Sequence, residues 1–519
     1  MYVPVLGNVS DILLGVFLLI LLLYWHVNRN LDVWERLGVP GPKPWPVLYH
    51  IPELRAGMGA CLEKWEKEYG RSYGLYNFQT KSATLVTTDV NILNNVLVKD
   101  FSSFVDREYM ETTTSSVVDG LFFQNGDTWK RNRHVLSPMF TGGKMRLMLP
   151  HIDDSASNLA QLFLDTHSKG QLIPVKLFAA RYTSDVIAKT GFGLDVEAVT
   201  KEDSEFFHHI ENFFQMGKLG FRVFRYLAFY FPKLMKIGSR LSSNVDPIVP
   251  EVENYFVSLA ETSMNEKKKM KQKQGASSSK AVDMMDLMLE AEVTDDRKLT
   301  CNDHALTKKD IIGNSSILIL AGFETTSSLL QALFYFLACY PDIQDKVIAE
   351  VDTVMAGRLK VEYDLLPKLV YTEQVINESL RSFPPSPSIA RRCSETKTYG
   401  NITIPAGANV FIPIYKILRD PEYWPEPEKF DPDRFSAENK ANHDPVAFLA
   451  FGFGPRQCVG KRLALMEVKV ALCHILSRMK FVLNERTEPK EGQDVKQNHF
   501  FGFLIPEKPI HVDIVPRKA

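Results

Sequence analysis

The pattern of apolar and polar positions divides the chain into three parts. Residues 12–27 form an uninterrupted apolar run without a charge, and Val9 extends it toward the ~20 residues that a bilayer-spanning helix needs. From there to about residue 390 the apolar spacing is mostly helical, apart from a short extended stretch at 84–87. The longest predicted helix, 308–340, is apolar on nearly every face and stops before Pro341, as expected for a helix through the middle of a core.

The C-terminal part has a different pattern. From Pro384 onward proline and glycine become dense, which predicts turns, short strands and irregular chain. A last helix is predicted over 461–479, and residues 510–515 alternate like a strand. The expected fold class is therefore mainly α with a smaller β-rich part.

The apolar run at the N-terminus has no Lys or Arg before it, whereas Arg29, Arg36 and Lys43 follow it. The positive-inside rule then places the N-terminus in a lumen and the body in the cytosol. A cleaved signal peptide is the alternative, but the start lacks positive charge and the aromatic end of the run offers no small-residue cleavage site. We predict a short luminal N-terminus (1–8), a single transmembrane signal anchor (9–27), a linker with a Pro-rich hinge (28–46) and one large domain (47–519).

Composition excludes several classes of function. Lys and Arg number 61 against 62 Asp and Glu, a formal net charge of −1, so the chain lacks the overall field that would hold a nucleic acid. The six cysteines contain no C-x-x-C pair, which argues against a zinc finger or a disulfide scaffold and favours a reducing compartment. The lysine-rich run 267–273 and the polar residues 275–279 after it are interpreted as a solvated surface loop, with a binding patch as the alternative.

The strongest chemical signal is F-G-F-G-P-R-Q-C-V-G at 451–460, directly before the last predicted helix. A helix N-terminus favours a thiolate, so Cys458 is suited to be an anionic metal ligand. Gly460 permits the close approach of a flat cofactor, and Arg456 offers a cation to a cofactor carboxylate. A lone cysteine is more often a small buried apolar residue, but the ten-residue pattern favours the ligand.

This segment resembles the haem-binding loop of the cytochrome P-450 monooxygenases, F-x-x-G-x-R-x-C-x-G, at every fixed position. The resemblance implies a cytochrome P-450 fold, with 47–519 as the haem-binding catalytic domain. It implies heme b (iron protoporphyrin IX), with Cys458 as the axial ligand of the metal. It also places Phe451, Arg456 and Gly460 at the cofactor.

A second motif, A-G-F-E-T-T at 321–326, lies midway along the predicted helix 308–340 and resembles the family's A/G-G-x-D/E-T-T/S. The small pair that includes Ala321 would open a groove for dioxygen above the haem. The resemblance implies that Thr325 is the proton-delivering alcohol and Glu324 its acid partner. A polar break in the helix that is filled by internal water is the alternative.

Two further motifs resemble the family's E-x-x-R and P-E-R-F, namely E-S-L-R at 378–381 and F-D-P-D-R-F at 430–435, in which Asp433 replaces Glu. They imply a structural triad of Glu378, Arg381 and Arg434 that positions the cysteine loop. W-K-R-N-R at 129–133 resembles W-x-x-x-R. The implied ligands of the haem propionates are Trp129, Arg133, Arg391 from the other side, and Arg107 as an additional candidate.

These motifs occur in the family's order over roughly residues 35–519, and the sequence around them is most similar to the microsomal animal family-three clan. The resemblance implies insertion of one oxygen atom of O₂ into a lipophilic substrate that is xenobiotic, steroid or fatty-acid-like. We identify no nucleotide-binding fingerprint after a strand, so NADPH electrons are expected from a separate FAD/FMN reductase of the endoplasmic reticulum membrane, with cytochrome b5 as an optional second partner. The expected docking cations are Lys130, Arg131, Lys461, Arg462 and Lys469.

An aromatic and basic stretch at 213–231 is expected to roof an apolar pocket or to dip into the membrane interface, with plain core packing as the alternative. Two rival functions stay open on this scaffold. A haem-thiolate peroxide isomerase would need no electrons and would give Thr325 no role. A non-catalytic haem-binding protein would need neither the acid-alcohol pair nor a reductase face.

Overall fold

The structure is a computed structural model that describes residues 9–77, 82–108, 115–213, 250–274, 283–293, 299–489, 495, 497–500 and 503–517. Its α-helices are α1 Val9–Asn28, α2 Val33–Arg36, α3 Ile51–Leu54, α4 Met58–Tyr69, α5 Val90–Asn94, α6 Gly126–Leu136, α7 Gly142–Ser168, α8 Val175–Phe192, α9 Glu205–Asn212, α10 Pro250–Gln274, α11 Met284–Glu290, α12 Lys308–Cys339, α13 Pro341–Met355, α14 Val370–Ser382, α15 Ile414–Ile417 and α16 Lys461–Leu476. Its strands are β1 Ser72–Tyr76, β2 Ala83–Thr87, β3 Ile173–Pro174, β4 Ile389–Arg392, β5 Lys397–Tyr399, β6 Ile402–Ile404, β7 Asn409–Ile412, β8 Met479–Val482, β9 Gln497–Phe500, β10 Phe503–Pro506 and β11 His511–Pro516.

Helices dominate the described chain, so the predicted mainly α class with a smaller β-rich part is confirmed. The long predicted helix appears as α12 and the tail strand as β11. The last helix ends at Leu476, earlier than expected, because the chain turns into strand β8 at Met479.

The core is built around α12. Thr307 caps its first turn in a capping box with Asp310, and Pro341 starts the next helix. Most of α12 is buried, and helices α7, α8 and α16 contribute to the same apolar cluster. This packing explains an apolar pattern on nearly every face.

The sheets of the described chain are small, with two to four strands each. The largest has the order β1-β2-β7-β4, with β2 and β7 parallel and the other pairs antiparallel. In its register Arg391 lies opposite Val410. A three-stranded sheet β3-β11-β8 and the hairpins β5-β6 and β9-β10 complete the strand part.

The N-terminal helix α1 is apolar and its side chains from Ile12 to Trp25 are exposed. By length and hydropathy, α12 is the helix of the described chain that could cross a membrane, but it is mostly buried as the core helix, whereas residues 12–28 of α1 form a shorter apolar stretch. The anchor at 9–27 therefore stays a prediction. Trp34 is buried and its indole N–H donates to the Leu75 carbonyl at 2.8 Å, so the expected linker packs onto the folded body instead of standing apart.

Two surface predictions have other outcomes. Residues 267–273 are helical within α10, and Lys267 and Lys268 are paired with Asp283 and Glu292, so the loop interpretation is wrong for them. The residues 275–279 lie outside the described residues. Of the aromatic stretch 213–231, only Phe213 is described, and it is buried.

Candidate active site

The cysteine loop at 451–460 leads directly into α16. Gly452 and Gly454 have φ values of 69° and 75°, in the left-handed region that favours glycine. A side chain on Gly454 would also collide with the Leu97 carbonyl oxygen. The Cys458 N–H donates to the Phe451 carbonyl at 2.8 Å, which closes the loop. The loop therefore holds Cys458 just before the first turn of α16.

Cys458 is the exposed member of the six cysteines, whereas Cys61, Cys393 and Cys473 are buried. Desolvation by the protein packed around the loop raises the pKa of the Cys458 thiol, and the Gly460 N–H together with nearby cations, first Arg133, opposes that rise. A metal ion deprotonates a coordinating thiol outright. The loop therefore offers a sulfur that becomes an anionic ligand when a metal takes it.

Gly460 follows the cysteine with an ordinary backbone conformation. A Cβ placed there would meet no protein atom closer than 3.8 Å, so packing within the protein does not demand glycine. The absence of a side chain at Gly460, two residues after Cys458, lets a flat cofactor approach the backbone closely.

A cluster of cations, here called the arginine cradle, surrounds this loop. Arg133 of α6 donates to the Gln457 carbonyl at 3.0 Å. The Arg456 guanidinium lies 4.5 Å from the centroid of the Trp129 ring. Arg107 and the fully buried Arg391 complete the cradle, since the charges of Arg107 and Arg456 act on Arg391.

Several nitrogens of the arginine cradle are buried without a hydrogen-bond partner among the described residues: Arg107 Nε, Arg391 Nε and Nη2, and Arg456 Nε and Nη1. Burial lowers the pKa of Arg456 to about 9 and that of Arg107 to about 10, and repulsion from Arg133 adds to the effect at both. Orphaned buried cations are costly unless an anion pairs with them. Two carboxylates of a bound cofactor, such as haem propionates, fit this demand.

The A-G-F-E-T-T motif lies in the middle of α12, as predicted. Ala321 is exposed and Thr325 half-buried on a helix that is otherwise mostly buried, so this face borders open space. The Thr325 hydroxyl donates to the Ala321 carbonyl at 2.6 Å, one turn back. A hydroxyl bonded in this way locally loosens the helix and faces the same open side.

The Glu324 carboxylate bonds to residues other than Thr325. Lys176 of α8 donates to its Oε1 at 2.8 Å, and Ser328 donates to the same oxygen at 3.1 Å. No hydrogen bond between Glu324 and Thr325 is present in this described stretch, so the acid and the alcohol are neighbours in sequence whose side chains bond to different partners. A cavity of about 370 Å³ reaches Lys176 and Glu324 and is otherwise lined mainly by apolar side chains, including Phe503 and Ile505.

The expected triad is assembled in the structure. Arg381 forms two 2.8 Å contacts with the Glu378 carboxylate, and both side chains are fully buried. Arg434 Nε lies 3.6 Å from the same carboxylate and donates to the carbonyls of Pro425 and Glu426. Burial raises the pKa of Glu378 despite both cations. The contacts tie α14 to the irregular chain before the cysteine loop.

Two of the five expected docking cations are not on the surface. Arg131 is buried and paired with Asp310 at 2.9 Å. Lys469 is buried, donates to the Leu366 carbonyl and pairs with Glu373. Lys130, Lys461 and Arg462 are exposed, so the basic face is smaller than the sequence indicates.

One accessible thiol beside uncompensated arginines suits iron porphyrin, whose iron takes the sulfur and whose propionates take the cations. The fold and the site thus define a haem-thiolate protein. Residues 39–514 match the family model for cytochrome P450, and the chain belongs to that family. It is a monooxygenase-type oxidoreductase that uses heme b.

The chain is similar to several animal relatives over nearly its whole length. Cytochrome P450 3A9 of Rattus norvegicus is 33% identical over 503 residues, covering 96% of this chain and 95% of the relative. Cytochrome P450 3A56 of Fundulus heteroclitus is 33% identical over 504 residues (97% and 96%). Cytochrome P450 3A11 of Mus musculus is 33% identical over 505 residues (96% and 95%). The predicted placement near the animal family-three enzymes is confirmed.

Proposed function

We propose that this enzyme inserts one oxygen atom of O₂ into a lipophilic small molecule, using NADPH electrons delivered by a separate FAD- and FMN-containing reductase. The observation that carries the proposal is the Thr325 hydroxyl on the open face of α12, next to an acid that is paired with Lys176 and reached by a cavity. An oxygenase consumes protons at its reaction centre. A peroxide isomerase or a haem carrier has no use for this arrangement.

Bound heme b supplies dioxygen activation, which the thiolate ligand promotes by donating electron density. Cys458 would hold the iron, and Trp129, Arg133, Arg391 and Arg456 would hold the propionates, with Arg107 beside them.

The proton role of Thr325 requires a change of its hydrogen bond. Its Oγ1 now donates to the Ala321 carbonyl, and we expect the hydroxyl to turn toward the open face when a proton is needed there. Glu324 would take a proton from water in the adjoining cavity and release it toward the same face. Lys176, with bonds of 2.8 Å to Glu324 and Ser327, would keep the carboxylate in place between turnovers.

The lipophilic substrate class is supported by the side chains at the open face. Ile317 and Leu318 of α12 are only partly buried although most of their helix is core. Phe122, exposed at 51%, lies beside Arg107, whose guanidinium is 4.4 Å from its ring. Apolar walls with few polar groups are typical of sites for apolar small molecules.

Localisation in the endoplasmic reticulum membrane as a single-pass protein with a cytosolic domain is part of the proposal. Its support is α1, which has 20 residues, exposes apolar side chains and is followed by basic residues. The exposed cations Lys130, Lys461 and Arg462 near the cysteine loop would receive an acidic reductase surface and, in the same way, cytochrome b5.

The experiment measures NADPH consumption and product together, with a purified reductase and a panel of lipids, steroids and drugs. We expect product only when NADPH and reductase are both present. Thr325→Ala should keep NADPH consumption but lower product per NADPH by at least about 10-fold, because a positioned proton donor is lost. Thr326→Ala is the matched control, since Thr326 is buried off the open face. Product formation without NADPH would contradict the proposal.

A further inference from the structure

A buried carboxylate beside the arginine cradle has no part in the chemistry described above. Asp310 is 6% exposed on the first turn of α12, where it accepts from the Thr307 N–H and hydroxyl at 2.9 and 2.8 Å. Helix capping needs only the bond from the Thr307 N–H and the reciprocal bond from the Asp310 N–H to the Thr307 hydroxyl at 3.1 Å. The other contacts of Asp310 reach outside its helix.

Three further donors converge on the Asp310 carboxylate. Arg131 Nη2 lies at 2.9 Å, and the side-chain amides of Asn132 and Gln124 both donate at 3.2 Å. Arg131 and Asn132 belong to α6, whereas Gln124 belongs to the segment just before it. One carboxylate therefore joins α12, α6 and the segment 115–125.

The same segment is held on α12 by a second set of contacts. Asn314 donates to Asn132 at 2.7 Å and accepts from the Leu121 N–H at 2.8 Å, and all these groups are buried. Gly120 packs so closely on α12 that an added Cβ would lie 2.5 Å from the Gly313 carbonyl oxygen. These contacts hold the segment 115–125 in a single position on α12, because any shift would break buried hydrogen bonds.

Gln124 connects this network to the arginine cradle. Its backbone carbonyl accepts a hydrogen bond from Arg456 Nη2. The Arg456 guanidinium also lies over Trp129, which is on α6 with Arg131 and Arg133. The contacts form a closed ring. Asp310 pairs with Arg131 of α6, and Trp129 of the same helix packs on Arg456. Arg456 donates to Gln124, whose side chain donates back to Asp310.

We propose that Asp310 is a positioning residue for haem. It does not touch the cofactor, but it fixes α6 and Gln124 so that Trp129, Arg133 and Arg456 present their donors to the propionates. The arginines of the cradle repel one another, so their placement needs a rigid outer support. Outer partners that orient the groups holding a metal cofactor typically change its affinity by about 10- to 100-fold when they are removed.

The test compares Asp310→Asn with a matched buried carboxylate in the haem-loaded enzyme. The substitution keeps the side-chain shape but turns one accepting oxygen into a donor facing other donors. We expect Asp310→Asn to transfer haem to apomyoglobin about 10- to 100-fold faster than wild type. The control is Asp153→Asn, because Asp153 is also buried and paired, with His474 at 2.7 Å and the Val361 N–H at 2.9 Å, away from the cradle. It should lower the unfolding temperature while haem transfer stays within about two-fold of wild type.

Gln124→Met provides a second variant in case Asp310→Asn does not fold. It keeps the backbone carbonyl that Arg456 uses and the ion pair of Asp310 with Arg131, and it removes the side-chain amide that donates to Asp310 and to the Asp119 carbonyl. We expect faster haem transfer with an unfolding temperature close to wild type. Haem transfer at the wild-type rate in either variant, or equal acceleration in Asp153→Asn, would overturn the assignment.

Discussion

Replacing Arg391 by Met should have opposite effects on the cofactor-free and haem-loaded protein. Arg391 is fully buried on β4, its Nε and Nη2 have no partner among the described residues, and only Nη1 donates, to its own neighbour Ala390. Burial and the charges of Arg107 and Arg456 lower its pKa well below the usual value. Without an anion the charge is a cost to folding, and with a propionate it becomes a ligand.

The expected change in the free energy of unfolding follows from the number of unpaired nitrogens on Arg391. Each buried unsatisfied donor costs about 1–3 kcal/mol and the bond to Ala390 contributes about 0.5–1.5 kcal/mol, so removing all three should stabilise the cofactor-free protein by about 1–5 kcal/mol. The haem-loaded protein loses charged hydrogen bonds worth about 1.5–3 kcal/mol each. Both effects weaken haem binding, so the affinity should fall by at least about 100-fold.

Arg381→Met is the matched control, because Arg381 is equally buried but already paired with Glu378. Breaking a buried pair costs about 3–5 kcal/mol, so this variant should lose stability with and without haem. The assay is urea unfolding of both forms, with haem release followed by transfer to apomyoglobin. If Arg391→Met destabilises the cofactor-free protein as Arg381→Met does, then the arginine cradle is not built for an anionic cofactor.

Three further predictions concern other parts of the molecule. Lys176→Met removes the cation that holds Glu324, so product per NADPH should fall several-fold at an unchanged haem content, whereas Lys201→Met, in the exposed pair with Glu197, should leave it unchanged. Desolvation by burial lowers the pKa of His50 from 6.5 to about 4, so below pH 6.5 the unfolded chain takes up a proton that the folded chain does not. Stability should therefore fall by about 1.4 kcal/mol per pH unit between pH 6.5 and about 4, and His50→Gln should abolish this slope in urea titrations; an unchanged slope assigns it to other groups. Reversing the charges of Lys130 and Arg462 should raise the reductase concentration needed for half-maximal turnover, while reversal at the exposed Lys360 should not, and identical titration curves would remove the docking face.

The sequence alone was sufficient to predict arrangements of side chains that lie close together along the chain. The cysteine loop, the E-x-x-R pair and the W-x-x-x-R pair each fall within one turn or one loop, so their spacing already determines which side chains can meet. The long core helix was predictable because its apolar residues leave no polar face.

Contacts between residues that are far apart in the sequence were not predictable in this way. Lys176 reaches Glu324 over 148 positions, and Gln124 reaches Asp310 over 186. Arg131 and Lys469 were assigned to the surface because basic residues are usually exposed, yet Asp310 and Glu373 pair with them in the interior. Nothing in a local pattern signals such pairs, since tertiary packing alone brings them together.

The absorption spectrum of the reduced enzyme under carbon monoxide reports whether the Cys458 sulfur is bonded to the haem iron. A thiolate ligand on the haem iron predicts a red-shifted Soret band for the wild type, its loss in Cys458→Ala, and its retention in Cys301→Ala, which changes a cysteine away from the loop. An unshifted band in the wild type, or a red-shifted band that survives Cys458→Ala, would contradict the assignment of Cys458 as the ligand.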